Sequence, residues 1–306
     1  MLLNSVKVIQ QMLFYELLDS TDMMAGPVLG AHVSIAGSID KAVDRAVEIG
    51  CTGTFQIFTR NPRGWAFKKL NPEEVKLFRE KVVAKGFFVP VGHMPYLPNI
   101  ASPSKQLFTK SLNVLMAEME RCGELGMKFL AVHLGSHMGK GVDIGIQRVV
   151  EACRTALEKV QNDVTILLEN MAGQKNSVGS RFEELRRILD LIGDERRVAI
   201  CFDTCHAFAA GYDLRNEEAV EKTVEQFDNV IGIKHLKVIH INDSKGELGS
   251  HLDRHEHIGM GMIGDEGFRA IFHHKALRNL PFILETPEDK RGNFRTNILK
   301  SKELYG

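Results

Sequence analysis

No stretch of this 306-residue chain is apolar for long enough to cross a bilayer: none reaches the roughly 18–20 residues that a helical span needs. Net charge is missing as well. Lysine plus arginine and aspartate plus glutamate stand at 39 each, which excludes a chain that is basic throughout, so any nucleic-acid contact must come from a local patch. Cysteine is scarce and unpaired. The five, at positions 51, 122, 153, 201 and 205, are odd in number, and Cys201 and Cys205 lie four apart rather than in a C-x-x-C pair. That argues against a disulfide framework and a thiolate zinc site, and suits reduced thiols in a cytoplasmic protein. Internal repeats, low-complexity runs and a Ser/Pro linker are absent too, so nothing divides the chain into several domains.

What is present begins with an N-terminal extension, residues 1–24. Its apolar run, Val8 to Leu18, is broken by Gln10, Gln11 and Glu16 and has neither a basic flank nor a small-residue cleavage site. It reads as a short extra helix or as an upstream start. From residue 25 to 306 the chain alternates strand-like and helix-like segments. Strands are expected at 28–33, 54–59, 87–93, 129–133, 164–170, 198–203, 238–243 and 281–285, and helical patterns lie between them, for example 40–49, 72–85, 104–125 and 182–192. Eight such units over about 250 residues predict a single (β/α)8 TIM barrel of the α/β class. The doubly wound sheet is the alternative, but no glycine-rich phosphate turn follows the first strand.

The strands close on His32, Thr59, His93, His133, Glu169, Asp203, His240 and Glu285, of which seven are ionisable. In a barrel these ends gather in one mouth. His206 follows Asp203 at i+3, a spacing that suits two metal ligands, an acid/base pair, or a helix N-cap Asp beside a packed His. Asp253 and His255 stand two apart, on one side of an extended segment. So many imidazoles and carboxylates facing one cavity would be costly without cations between them. Histidine and carboxylate ligands without thiolates suit Zn2+, Mn2+ or Fe2+. Nine candidates (His93, His133, Glu169, Asp203, His206, His240, Asp253, His255 and Glu285) exceed what one ion needs and support two or three. Several metals in one cleft point to phosphate-ester hydrolysis.

The strings GAHVS (30–34), FTRNPRGW (58–65), GHMPYLPN (92–99), AVHLGSH (131–137), LLENMAGQ (167–174), CFDTCHAFAAGYD (201–213), HINDSK (240–245), DRHEHIG (253–259) and ILETP (283–287) resemble the endonuclease IV family of metal-dependent apurinic/apyrimidinic endonucleases. The resemblance runs from about residue 28 to the end of the sequence. It implies a barrel holding three Zn2+ ions, with Mn2+ acceptable at one site. His93 and His133 would hold the first, with Glu169 bridging to the second. Asp203, His240 and Glu285 would complete the second, and His206, Asp253 and His255 the third. The implied activity is cleavage 5′ to an abasic site, leaving a 3′-hydroxyl and a 5′-deoxyribose phosphate, together with removal of blocked 3′ ends. Glu285 would orient the attacking hydroxide, so Glu285 and Glu169 are the implied catalytic residues.

The implied partner is double-stranded DNA, bound by a monomer. The loop Arg60, Asn61, Arg63 and Trp65 and the pair Tyr96 and Leu97 correspond to family loops that enter the minor groove and fill the space left by a flipped nucleotide. His32 and His137 correspond to groups supporting the ligands or touching phosphate. Gly64 departs from the larger polar residue common there in relatives, and residues 1–22 have no counterpart. A local basic patch would draw on Arg60, Arg63, Lys140, Lys175, Lys245 and Arg254. Two other readings compete. A single-metal sugar isomerase or epimerase on the same barrel would use Glu169, Asp203, His240 and Glu285 alone. A non-catalytic damage-binding protein would have no reason to keep all nine ligands.

Overall fold

The structure, a computed structural model, describes residues 26–66 and 68–306; the extension read at residues 1–24 lies outside them. Its strands are β1 (Leu29–Ala31), β2 (Thr54–Phe58), β3 (Val89–His93), β4 (Phe129–His133), β5 (Thr165–Glu169), β6 (Val198–Asp203), β7 (Leu236–His240), a short hairpin of β8 (Asp243–Ser244) and β9 (His255–Glu256), and β10 (Phe282–Leu284). The helices are α1 (Lys41–Ile49), α2 (Pro72–Ala84), α3 (Lys105–Leu125), α4 (Val142–Lys159), α5 (Phe182–Ile192), α6 (Thr204–Ala210), α7 (Glu217–Val230), α8 (Gly264–His273) and α9 (Phe294–Tyr305). Eight parallel strands run β1-β10-β7-β6-β5-β4-β3-β2. The last seam, β1 against β2, closes at a parallel bridge between His32 and Gln56, with the Val33 N–H donating to the Gln56 carbonyl at 2.8 Å. This is the TIM barrel that the alternation predicts.

Period-two alternation decides what each strand residue faces. One set of residues, Val89, Val91, Phe129, Ala131, Leu167, Ala199, Cys201, Val238 and Ile283, packs inside the barrel. Their neighbours on the other face, such as Leu130, Val132, Ile166, Leu168 and Ile239, join the larger core beneath the helices. The next inward position after the apolar layer is His93, His133, Glu169, Asp203, His240 or Glu285 on six different strands. The apolar interior therefore sets the register of the polar layer above it.

One local outcome realises an alternative the sequence left open and two differ from the sequence reading, each for a physical reason. The small-residue run after Asp203 is a helix, α6, because the Asp203 side chain accepts from the His206 N–H at 2.7 Å and caps it. The seventh strand ends at His240. The buried Asp243 carboxylate accepts N–H bonds from Ser244, Gly259, Gly261 and Ile263 at 2.8–3.0 Å, which turns the chain out into the β8–β9 hairpin. Helix α9 follows the last strand, started by a capping box between Asn293 and Thr296; the capping pair was overlooked in the sequence. Among the described residues no helix is long and apolar enough to cross a membrane.

The closing seam has little tolerance. A Cβ on Gly30 would lie 2.3 Å from the Thr54 carbonyl oxygen, a backbone atom. Gly30→Ala is expected to pry β1 from β2 and to cost at least about 1–3 kcal/mol. Thermal unfolding should show a midpoint lowered by several degrees, and an unchanged midpoint would contradict this account of the seam.

Candidate metal centre

Six strand ends, the first turn of α6 (His206) and the β8–β9 hairpin with its loop (Asp253, His255) bring the nine candidate residues together at the barrel mouth. Glu169 is fully buried, with His93 Nε2 at 3.1 Å, His133 Nε2 at 3.2 Å, His240 Nδ1 at 3.1 Å and His206 Nδ1 at 3.4 Å. Four overlapping groups bring their ligand atoms within 4.8 Å of one another: His93, His133 and Glu169; His93, His240 and Glu285; Glu169, Asp203, His240 and Glu285; and Asp203, His206 and His255. Asp253 stands beside the last group, its Oδ1 at 3.2 Å from His206 Nε2 and 3.6 Å from His255 Nε2.

The imidazoles are held in fixed tautomers. A carbonyl oxygen only accepts, so each ring nitrogen facing one must carry the proton. His93 Nδ1 donates to the Met94 carbonyl at 2.7 Å, His206 Nδ1 to the Asn170 carbonyl at 2.9 Å, and His255 Nδ1 to the Glu285 carbonyl at 3.0 Å. In the neutral ring each Nε2 is then the bare nitrogen, with its lone pair toward the carboxylates. His255 Nε2 is buried and has no hydrogen-bond partner. Buried polar atoms are rarely left so. Inward lone pairs, fixed outer N–H groups and an orphaned nitrogen fit a divalent cation, since metal-bound histidines characteristically donate their other N–H to a carbonyl or carboxylate.

Electrostatics points the same way. Burial works against charge on Glu169, yet the His133 and His240 imidazoles hold its carboxyl well below the usual range. Burial likewise opposes ionisation of Glu285, and His240 overcomes it. Burial would lower His206, but Asp203 and Asp253 raise it to about 10, and Asp253 itself falls to about 2 against its burial. Protons thus occupy the roles that cations fill well.

The polar groups that orient this layer were overlooked in the sequence. Asn242 Nδ2 donates to Asp203 Oδ2 at 2.7 Å, while its Oδ1 accepts from the Glu285 N–H at 2.8 Å. Asn170 exchanges two bonds with the Asp203 backbone. Gln56 touches His32, His240 and Glu285. Both asparagines lie inside the quoted motifs, one or two residues from a ligand, which was the available signal; Gln56 had none beyond its place in a strand.

The rim residues separate into two groups. Tyr96 and Leu97 are exposed beside the pocket, and the Tyr96 ring lies 6.4 Å from His93 and 6.5 Å from His133 by ring centres. Asn61, Arg63 and Trp65 are exposed on the loop after β2. Arg60 differs from the sequence reading: its guanidinium points inward, 2.8 Å from the buried Glu118, and donates to the Trp65 carbonyl at 3.2 Å. It fastens the loop from beneath rather than facing outward, because a buried carboxylate demands a partner. Of the other basic-patch candidates, Arg63, Lys140, Lys175, Lys245 and Arg254 are exposed on loops at the mouth. His137 accepts from the Gly141 N–H at 3.0 Å, which anchors its own loop, whereas His32 sits within the layer, its Nδ1 3.5 Å from Glu285.

These shifts predict a pH signature for chelator-stripped protein. Raised histidines (His133, His206, His240) contribute stability that is complete below their ordinary 6.5 and lost as pH climbs above it, for His206 toward about 10. Depressed carboxylates (Glu169, Asp253, Glu285) contribute stability present above their ordinary range, 3.8 to 4.5, and lost as pH falls below it, for Asp253 toward about 2. Stripped protein should therefore melt highest between these limits, near pH 5–6. Because cations displace the imidazole protons, the gain on metal loading should grow as pH rises. A gain independent of pH would contradict the exchange.

Comparison with known proteins accords with this geometry. Residues 43–304 match the family model described as "Xylose isomerase-like TIM barrel". The chain is 54% identical over 280 residues to the probable endonuclease 4 of Methanoculleus marisnigri, covering 91% of this chain and 99% of that one. It is 50% identical to the probable endonuclease 4 of Nitrosopumilus maritimus, covering 90% and 99%. Among solved structures, endonuclease IV from Thermus thermophilus superposes with a TM-score of 0.81 at 35% identity, over 91% of this chain and 98% of that one. A D-tagatose 3-epimerase-like protein, at 21% identity and a TM-score of 0.66, shares the fold. On sequence and architecture together, this chain belongs to the endonuclease 4 family.

Proposed function

We propose that this protein is a DNA-repair enzyme that hydrolyses the backbone of duplex DNA 5′ to an abasic site, leaving a 3′-hydroxyl and a 5′-deoxyribose phosphate, and that it trims blocked 3′ ends. It acts as a monomer in the cytoplasm. One observation supports this above the others: the ligand groups form a chain linked by shared carboxylates, Glu169 between the first and second and Asp203 between the second and third. That arrangement supports three ions. His93, His133 and Glu169 would hold the first; Glu169, Asp203, His240 and Glu285 the second; and His206, Asp253 and His255 the third, with Asp203 lying between the second and third. Zinc suits all three, and manganese suits one. Bound there, the ions would supply Lewis-acid charge to a phosphoryl group and a nucleophile at neutral pH.

The residues of the chain bind and orient. Glu285 Oε1 accepts from Gln56 at 2.6 Å and its Oε2 lies 3.3 Å from His240 Nδ1, so the carboxylate is fixed as it orients the attacking water. Buried Glu169 holds the imidazoles in one arrangement. Tyr96, Leu97 and Trp65, with Asn61 and Arg63, fill the space of an extruded nucleotide; unstacking costs a few kcal/mol and least at a damaged site. The exposed cations around the mouth meet the phosphates. Single-metal sugar chemistry would need Glu169, Asp203, His240 and Glu285 and leave the other five ligands without a task.

Elemental analysis is expected to find about three zinc ions per chain, and a fully active preparation holding one would overturn the trinuclear assignment. Affinity for DNA should fall steeply with salt. Glu285→Gln is expected to lower kcat by at least about 100-fold while abasic-DNA affinity stays within roughly threefold. Tyr96→Ala should do the reverse, weakening discrimination of abasic from intact duplex with a smaller loss at saturation. Normal cleavage by Glu285→Gln on a duplex carrying one abasic analogue would sink the role given to that carboxylate.

A further inference from the structure

Three of the inward imidazoles have their outer N–H fixed by a backbone carbonyl, at Met94, Asn170 and Glu285. His240 is different. Its Nε2 faces Gln56 Oε1 at 2.8 Å, and its Nδ1 faces Glu169 and Glu285 at 3.1 and 3.3 Å. Gln56 is fully buried on β2, at the bridge that closes the barrel. Its amide orientation is dictated by charge. The atom 2.6 Å from the Glu285 carboxylate must be the NH2 group, because an oxygen there would face an acceptor. Its second hydrogen reaches His32 Nδ1 at 2.9 Å. The amide oxygen is left for His240, whose Nε2 must then carry the proton.

We infer that Gln56 is a positioning residue for the metal centre: its amide oxygen selects the His240 tautomer with a free Nδ1 lone pair, and its NH2 group simultaneously turns Glu285 so that Oε2 faces the same place. The same amide leaves neutral His32 protonated on Nε2, a buried atom without a hydrogen-bond partner and so a free donor at the edge of the pocket. The bond to Gln56 thus couples one ligand, the water-orienting carboxylate and a polar contact through a single amide. Outer partners of this kind tune affinity by about 10–100-fold. This assignment rests on the reading of the nine-residue cluster as a metal centre.

Two measurements test it. In zinc-loaded, 15N-labelled wild-type protein, with His240→Gln used to assign the signals, His240 should show its proton on Nε2 and a metal-shifted Nδ1; a proton on Nδ1 overturns the assignment. Gln56→Met keeps the volume and unbranched shape but removes donor and acceptor together. Stripped, reloaded with Co2+ and titrated with a competing chelator, this variant should release its most weakly held ion about 10–100-fold more readily than wild type. Its visible cobalt absorption should change as well, a readout that simple loss of stability does not move. Retention and absorption equal to wild type overturn the role of Gln56. Wild type that takes up no cobalt would instead remove the metal-centre reading itself. If Gln56→Met does not fold, the wild-type nitrogen spectrum still decides.

Discussion

Everything at the mouth of this barrel depends on one carboxylate removed from water. Glu169 is fully buried, and four imidazoles approach it to between 3.1 and 3.4 Å. An isolated buried carboxylate would be expelled or neutralised. This one stays because β3, β4, β7 and α6 each bring a nitrogen to it. The barrel wall fixes where those nitrogens are: inward apolar residues below, such as Val91, Ala131, Leu167 and Val238, set the pleat on which His93, His133, Glu169 and His240 stand. Packing therefore decides electrostatics here, since a one-residue slip in any strand would exchange a ligand for a side chain facing the helices.

A second requirement is orientation. Imidazoles are useful as ligands only when the right nitrogen is bare, and backbone carbonyls at 94, 170 and 285 arrange this without any side chain. Asn242 and Asn170 do the same for Asp203, which both caps α6 and serves two ligand groups. A helix-capping role and the proposed ligand role for Asp203 are thus compatible, because its two oxygens are separate: Oδ1 meets the His206 N–H and Oδ2 turns toward Asn242.

The rim is built on different physics from the floor. Tyr96, Leu97, Arg63 and Trp65 stand exposed, but the loop carrying the last two is not loose at its base. Glu118 accepts from Thr59 at 2.6 Å and pairs with Arg60, and Arg121 donates to Thr59 Oγ1 and to the Lys68 carbonyl. A buried ion pair of this kind is a weak source of net stability but costly to break. It gives an exposed loop a fixed base, so that its exposed residues sit on a rigid support.

The sequence by itself determined the order of the eight barrel strands and the apolar runs that end on His93, His133, Glu169, Asp203, His240 and Glu285. Alternation is a local property, and a strand-end residue is visible as soon as its strand is. The Asp253–His255 pair was equally legible from its spacing. Tertiary structure decided the rest. Whether Arg60 faces outward or inward depends on Glu118, far along the chain on α3, and no local pattern carries that. Gln56 reads as an ordinary strand residue until barrel closure sets β2 beside β1 and brings Glu285, 229 residues away in sequence, against its amide. Which nitrogen of each imidazole is bare depends on carbonyls and amides brought up by neighbouring segments. The sequence names the groups through local periodicity; their protons and lone pairs are set by contacts between distant segments, and those exist only once the barrel has closed.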